Sequence, residues 1–175
     1  MTSPNTAKAG IAAAWARIWA ALAAVTLSTG VAMADAAPKK LIGSWKLTKW
    51  VLQVVGSTET KPPYGDKPKG RLIITPQGDF MVIISGADRK PATTVAEKAA
   101  LLDSVLAYAG KSTFEGNTIT TTVDMSANEV FSGERARQVR FFEVTGDRLV
   151  IKTPEISSAV LPGKKTVGVL EWVRE

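Results

Sequence analysis

The chain has 175 residues, with 22 Lys and Arg against 16 Asp and Glu, a formal net charge of +6, and neither cysteine nor histidine. The absence of both excludes disulfides, thiolate nucleophiles, Cys/His zinc sites, histidine-ligated haem and every Ser-His-Asp or Cys-His catalytic arrangement. A metal site would have to use carboxylates alone, and the sequence indicates neither a metal nor a cofactor.

Residues 1–34 have the composition of a secretory signal peptide. They carry no Asp or Glu, their charged side chains are Lys8 and Arg17, and an apolar run over residues 18–34 ends in Ala32-Met33-Ala34. A basic start, an apolar middle and small residues before the cut are typical of a cleaved signal. A transmembrane anchor is the weaker alternative, because the run of 17 residues is shorter than the roughly 20 that span a bilayer.

Cleavage removes two basic residues and leaves a mature chain of net charge +4 that begins with a short linker over residues 35–40. We expect this product to be exported, either to a periplasm or out of the cell, without a stable membrane anchor. The folded domain is then predicted over residues 41–175. Nucleic-acid binding is not expected, since no motif or basic stripe supports it.

The domain consists of short β-type runs separated by turn signals, which predicts eight strands. In chain order they cover residues 41–55, 71–75, 79–85, 111–114, 118–124, 135–144, 148–153 and 165–173. Three tight turns with glycine predict hairpins: Pro76-Gln77-Gly78, Glu115-Gly116-Asn117 and Thr145-Gly146-Asp147. Three prolines make residues 56–69 a loop.

One segment breaks the β pattern. Residues 94–109 have good helix formers and no proline, and Thr94 with Glu97 forms an S/T-x-x-E capping box. Gly110 is placed to end this predicted helix. Its apolar face, which includes Val95 and Leu102, would either pack on the sheet or plug or lid one end of a barrel.

The fold class predicted from these elements is all-β. Eight neighbouring strands favour an up-and-down antiparallel barrel with one inserted α-helix after the third strand, since closure removes exposed sheet edges. An interior of this size either fills with side chains or holds one small ligand. A two-sheet sandwich is the alternative.

Gly43-Ser44-Trp45, at the start of the first strand, resembles the lipocalin signature. Residues 63–78 (PYGDKPKGRLIITPQG), the run QVRFFE at 138–143, and Trp172 with Arg174 are similar to the bacterial and fungal lipocalin-like domain family. The resemblance covers nearly all of residues 41–174. It implies a single calycin-type barrel with possible ligand binding.

This resemblance also implies a structural role for Gly43, Trp45 and Arg174, with the arginine of the last strand packed over the tryptophan at the barrel base. Stacking of a guanidinium on an indole is worth about 0.5–2 kcal/mol. Trp50 follows Trp45 by five residues, so regular alternation puts it on the opposite face. Both tryptophans point inward only if the strand contains a bulge.

The candidate ligand-binding residues are Arg140, Gln138, Phe142, Tyr108 and Tyr64. Alternation puts Arg140, Gln138 and Phe142 on one strand face. If that face points inward, a guanidinium and an amide among apolar groups suit a carboxylate head on an apolar body. Alternatively, Arg140 points outward or forms an ion pair with Glu129, Glu134 or Asp124.

The two tyrosines could each present a phenol at a cavity mouth or be buried in the core with the hydroxyl satisfied. A serine nucleophile would need lysine as its base, and no S-x-x-K occurs. We therefore favour an exported barrel that binds a small, largely apolar or weakly anionic molecule, with no assigned catalysis. The alternatives are an isomerase or cyclase acting on an apolar substrate, and a filled structural barrel. The oligomeric state is left open.

Overall fold

The computed structural model describes residues 36–175, and the predicted signal peptide lies outside these described residues. The elements in chain order are β1 Gly43–Val54, β2 Thr60–Lys61, β3 Lys69–Ile74, β4 Asp79–Ser85, α1 Val95–Asp103, β5 Val105–Glu115, β6 Thr118–Ser126, two 3-10 turns at Glu129–Phe131 and Gly133–Ala136, β7 Arg137–Thr145, β8 Arg148–Lys152, β9 Ile156–Ser157 and β10 Lys165–Arg174. Within residues 36–175 no helix has the length and apolar character to cross a membrane.

Eight long antiparallel strands close into a barrel. Each pairs with its neighbour in the chain, and β1 pairs with β10 to complete the ring. At one end of the barrel, the two-residue strand β2 pairs beside the end of β1, and the two-residue strand β9 pairs beside the start of β10. The predicted eight-stranded barrel, with its helix after the third long strand, is confirmed, and so are the three hairpins, whose turn glycines Gly78, Gly116 and Gly146 take positive φ.

The predicted helix over 94–109 is wrong in its second half. The capping box forms, with Glu97 N donating to Thr94 Oγ1 and Glu97 Oε2 accepting from Thr94 N. The backbone N–H groups of Thr94 and Thr93, which both donate to the Glu97 carboxylate, lower its pKa to about 2. The helix ends at Asp103, however, and β5 begins at Val105. Pairing of the first part of β5, residues 105–111, with the whole of β4 overrides the local helix preference.

Gly110 accordingly does not end a helix. It lies within β5 at a register shift against β6, where a Cβ would overlap the carbonyl oxygen of Thr122. The helix buries none of its residues, and Val95 and Leu102 are exposed. It therefore neither packs an apolar face on the sheet nor plugs the barrel.

A bulge in β1 turns both of its tryptophans inward. The pairing with β10 shifts register between Leu47 and Lys49, and the extra residue, Thr48, donates from its hydroxyl to the Glu171 carbonyl oxygen at 3.0 Å. Because a bulge adds one residue to the strand, each side chain after it points to the face opposite the one that regular alternation predicts. Trp45 is thus fully buried before the bulge, and Trp50 packs against the core after it.

The barrel base is closed by Trp45, Arg174 and the start of β1. The Arg174 guanidinium carbon lies 4.1 Å from the Trp45 ring centroid, and its Nη1 and Nη2 donate to the carbonyls of Ile42 and Lys40 at 2.7 Å each. Gly43 has φ 132°, and a Cβ there would lie 3.0 Å from Arg174 Nη1. The G-x-W pattern therefore reflects a backbone that must pass close under this arginine.

Replacement of Arg174 by alanine should lower the free energy of unfolding by about 2–3 kcal/mol, because it removes the ring contact and leaves two backbone carbonyls without their charged donor. Urea unfolding at neutral pH, followed by tryptophan fluorescence, measures this. Arg148→Ala is the matched control, since Arg148 is an exposed arginine with a surface ion pair to Glu171, and it should cost less than about 0.5 kcal/mol. Equal losses in the two variants would contradict the structural role of Arg174.

Candidate functional site

A partly open cavity of about 400 Å³ lies in the half of the barrel away from the Trp45–Arg174 base. Aromatic rings form much of its wall: Trp50, Phe80, Tyr108, Phe131 and Trp172. Aliphatic side chains from β1, β4, β8 and β10 fill the gaps between them, among them Leu52, Val82 and Leu170. The interior is therefore an apolar chamber of a size suited to a small molecule.

The polar side of the cavity comes from β7. Gln138, Arg140 and Phe142 share its inner face, while Phe141 between them is exposed. Arg140 pairs in register with Ile119, which is fully buried, so this face of β7 points into the barrel. Gln138 and Arg140 both line the cavity, as alternation predicts if this face points inward.

Short hydrogen bonds hold the Arg140 guanidinium in place. Its Nη1 donates to the Val139 carbonyl at 2.7 Å, and its Nη2 donates to Gln138 Oε1 at 2.8 Å. The Gln138 amide in turn donates to the Arg135 carbonyl at 2.5 Å. Guanidinium carries five N–H donors, so these two contacts leave donors for a further acceptor.

No carboxylate within residues 36–175 forms an ion pair with Arg140. The alternative pairs with Glu129, Glu134 or Asp124 do not form. A half-buried cation without a counterion is costly, and an anionic group inside the cavity would offset that cost. Arg140 is therefore a cation in the cavity wall without a counterion among the described residues.

Tyr108 stands in the cavity wall and is almost fully buried. Its ring stacks on Phe80, with the centroids 5.8 Å apart, and tilts against Phe131 at 4.9 Å. Burial raises the pKa of the Tyr108 phenol, although the nearby charge of Arg140 acts in the opposite direction. At neutral pH the phenol is therefore uncharged and can donate a hydrogen bond.

The structure places the other two candidate residues outside the cavity wall. Phe142 is buried in the core with the Lys40 ammonium 5.3 Å from its ring centroid. Tyr64, in the loop after β2, meets Trp50 edge-on at 4.7 Å. Burial and, secondly, the charge of Asp103 raise the pKa of Tyr64.

Tyr64 faces a different space, an open groove of about 620 Å³ between its loop, the segment 86–92 and α1. Charged groups of both signs line this groove, including Asp66, Arg89 and Asp103. An open, charged surface does not suit an apolar molecule, so the barrel interior is the better candidate site. No cluster of three or more carboxylates within residues 36–175 could hold a metal ion.

Sequence reasoning missed two of the principal wall residues, Trp50 and Trp172. The signal for Trp50 is a break in alternation, because the inward residues Trp45 and Leu47 are followed by Trp50 and Leu52 rather than by Lys49. Gly168 was also missed. It pairs with Leu52, and a Cβ there would lie 3.0 Å from Thr153 Cγ2 and 3.7 Å from Trp50 Nε1, so the glycine keeps space beside the indole.

The lipocalin-like domain family matches residues 42–175, nearly all of the described chain. The protein belongs to this family. No curated protein matches the chain. The resemblance seen in the sequence is thus confirmed, and the chain forms a lipocalin-like barrel.

The two tyrosines should ionise late in the folded protein, because the pKa of each is raised. A raised pKa means that the folded state disfavours the charged tyrosinate. The free energy of unfolding therefore does not change below the ordinary tyrosine pKa of 10.0 on account of these groups, and it decreases as the pH rises above that value. Tyrosinate absorbance should therefore rise at higher pH in native protein than in guanidinium chloride.

The variant Tyr64→Phe isolates Tyr108 in the same titration. We expect its tyrosinate signal to appear together with the loss of near-ultraviolet circular dichroism, since a fully buried phenol ionises only as the barrel opens. A native titration that coincides with that of the unfolded chain would contradict the burial of Tyr108.

Proposed function

We propose that this protein is an exported carrier or sensor whose barrel holds a small, largely apolar molecule with one anionic head group. The observation that supports it most directly is the pairing of an aromatic-walled cavity with the Arg140 guanidinium, which has no counterion among the described residues. The head would bind Arg140 bidentately. The body would lie against Trp50 and Trp172.

The size of the cavity limits the ligand. A water molecule occupies about 30 Å³ in the liquid, and at a similar share per non-hydrogen atom a chamber of 400 Å³ accepts roughly 13 such atoms. This corresponds to a medium-chain acid or a small ring system with a carboxylate. A long acyl chain would have to extend out of the cavity.

The residues of the wall favour binding over acid–base catalysis. Its charged members are Arg137 and Arg140, and it contains no Asp, Glu or Lys. Arginine is a poor proton donor, and the raised pKa of Tyr108 makes that phenol a poor base at neutral pH. An isomerase or cyclase would therefore have no base in this wall and would have to act by shape and by the hydrogen-bond donors of Tyr108 and Arg140. A cavity of this size also argues against a filled structural barrel.

Decanoate and decan-1-ol test the proposal as a matched pair, because both fit the volume and only the first carries charge. We expect both to change the fluorescence of Trp50 and Trp172. Arg140→Ala should weaken decanoate binding about tenfold, the effect of losing a charged hydrogen bond, while decan-1-ol is hardly affected. Titration followed by tryptophan fluorescence gives both dissociation constants.

Two control variants separate the site from the surface. Arg148→Ala removes an exposed arginine on the outer face and should leave both ligands unaffected. Leu106→Trp adds bulk to the wall and should weaken both ligands together. Unchanged decanoate affinity in Arg140→Ala would remove Arg140 from the site, and failure of both ligands to bind the native barrel would reject the apolar chamber.

A further inference from the structure

The outer face of strands β3 to β6 carries an exposed apolar surface. Ile73, Met81, Ala109 and Met125 are register partners in one row across the four strands. Ile83 and Ala107 pair in the next row. Met81, Ile83 and Met125 are 54%, 53% and 69% exposed, and Ile73 is 39% exposed. Ala107 and Ala109 between them are partly exposed. We call these six residues the outer patch.

The outer patch alternates large and small side chains across the middle of the sheet. Met81 and Ile83 form a ridge on β4, and Ala109 and Ala107 form a trough beside it on β5. A shallow apolar depression of about 340 Å³ lies along this trough. A surface with a ridge next to a trough is complementary in shape to a copy of itself.

We propose that a second copy of the chain packs on the outer patch around a two-fold axis that runs parallel to the strands, between β4 and β5. Such an axis exchanges the two members of each register pair. Met81 then lies over Ala109 of the second copy, and Ile83 lies over Ala107 of the second copy. Two sheets packed in this way stack about 10 Å apart, as in a sandwich.

The charges at the end of the outer patch fit the same operation. Asp79 and Lys111 are also register partners of β4 and β5, with their charged atoms 2.6 Å apart and both side chains exposed. The proposed axis puts Asp79 opposite Lys111 of the second copy, and the reverse. Opposite charges therefore meet at the edge of the interface. Like charges at the same place would disfavour the packing of two copies.

The charges around the patch favour a protein over a lipid surface. Arg71 is paired with Glu175 at 3.0 Å and Asp79 with Lys111 at 2.6 Å. Among the described residues this leaves Lys46 and Lys69 toward one side without an ion pair. Two lysines are fewer than the roughly four to eight basic side chains of a lipid-binding cluster.

The area of the patch sets the strength of association. The six residues lie in two rows about 7 Å apart along the strands, on four neighbouring strands of a closed barrel, so the area that one partner can bury there is small. This area is smaller than the roughly 800 Å² per partner of a stable complex. The dimer is therefore weak and depends on protein concentration. The inference does not rest on the ligand cavity, because the outer patch faces away from it.

The full coding sequence is expressed in an exporting bacterial host, and the purified product is measured by sedimentation equilibrium. The measurement covers about a hundredfold range of protein concentration. The native protein should shift from monomer to dimer across the range. Met81→Lys should weaken association by at least about tenfold, since it puts two ammonium groups into the interface. Phe141→Lys is the matched control on another outer face and should associate like the native protein.

Two further variants distinguish this axis from general stickiness. Ala109→Phe makes the surface more apolar but fills the trough, so it should weaken the proposed dimer, whereas unspecific association would strengthen. Asp79→Lys should weaken the dimer, and adding Lys111→Asp should restore it. A chain that stays monomeric throughout, or that binds phosphatidylglycerol vesicles in a Met81-dependent manner instead, would overturn the proposal, as would an Ala109→Phe variant that associates more tightly.

Discussion

The pairing of the first strand with the last is the constraint on which this structure depends. It closes the sheet, so eight strands can bury a shared interior without a disulfide, in a chain that contains no cysteine. Trp45, Gly43 and Arg174 lie where that pairing begins, and they fix how the two strands meet. Without closure, the inner faces of β5, β6 and β7 would have no opposite wall.

The same pairing also creates the chamber. Because β1 inserts Thr48 opposite β10, its two halves present Trp45 and Trp50 to the interior at different depths. Trp45 fills the base, and Trp50 lines the space above it with Trp172 from β10. Arg140 then faces this aromatic wall from β7. A barrel with a regular first strand would have turned Trp50 outward and lost one wall of the cavity.

Much of the fold could be predicted from the sequence because alternation and turn glycines are local signals. These signals predict the hairpins and the shared face of Gln138, Arg140 and Phe142. The predicted helix is too long, since residues 105–109 favour a helix locally but form a strand by pairing with β4. The depth of Phe142, the position of Tyr64 outside the cavity and the cavity itself depend on strand register and closure, which one sequence does not specify.

The central claim is that the aromatic chamber holds a small anionic molecule with an apolar body. Native mass spectrometry of the protein, purified gently from its own host, tests this most directly. The account predicts a bound adduct of roughly 13 non-hydrogen atoms that Arg140→Ala releases, on a polypeptide that begins at Asp35. A ligand-free polypeptide whose thermal stability is unchanged by medium-chain and aromatic carboxylates would contradict it.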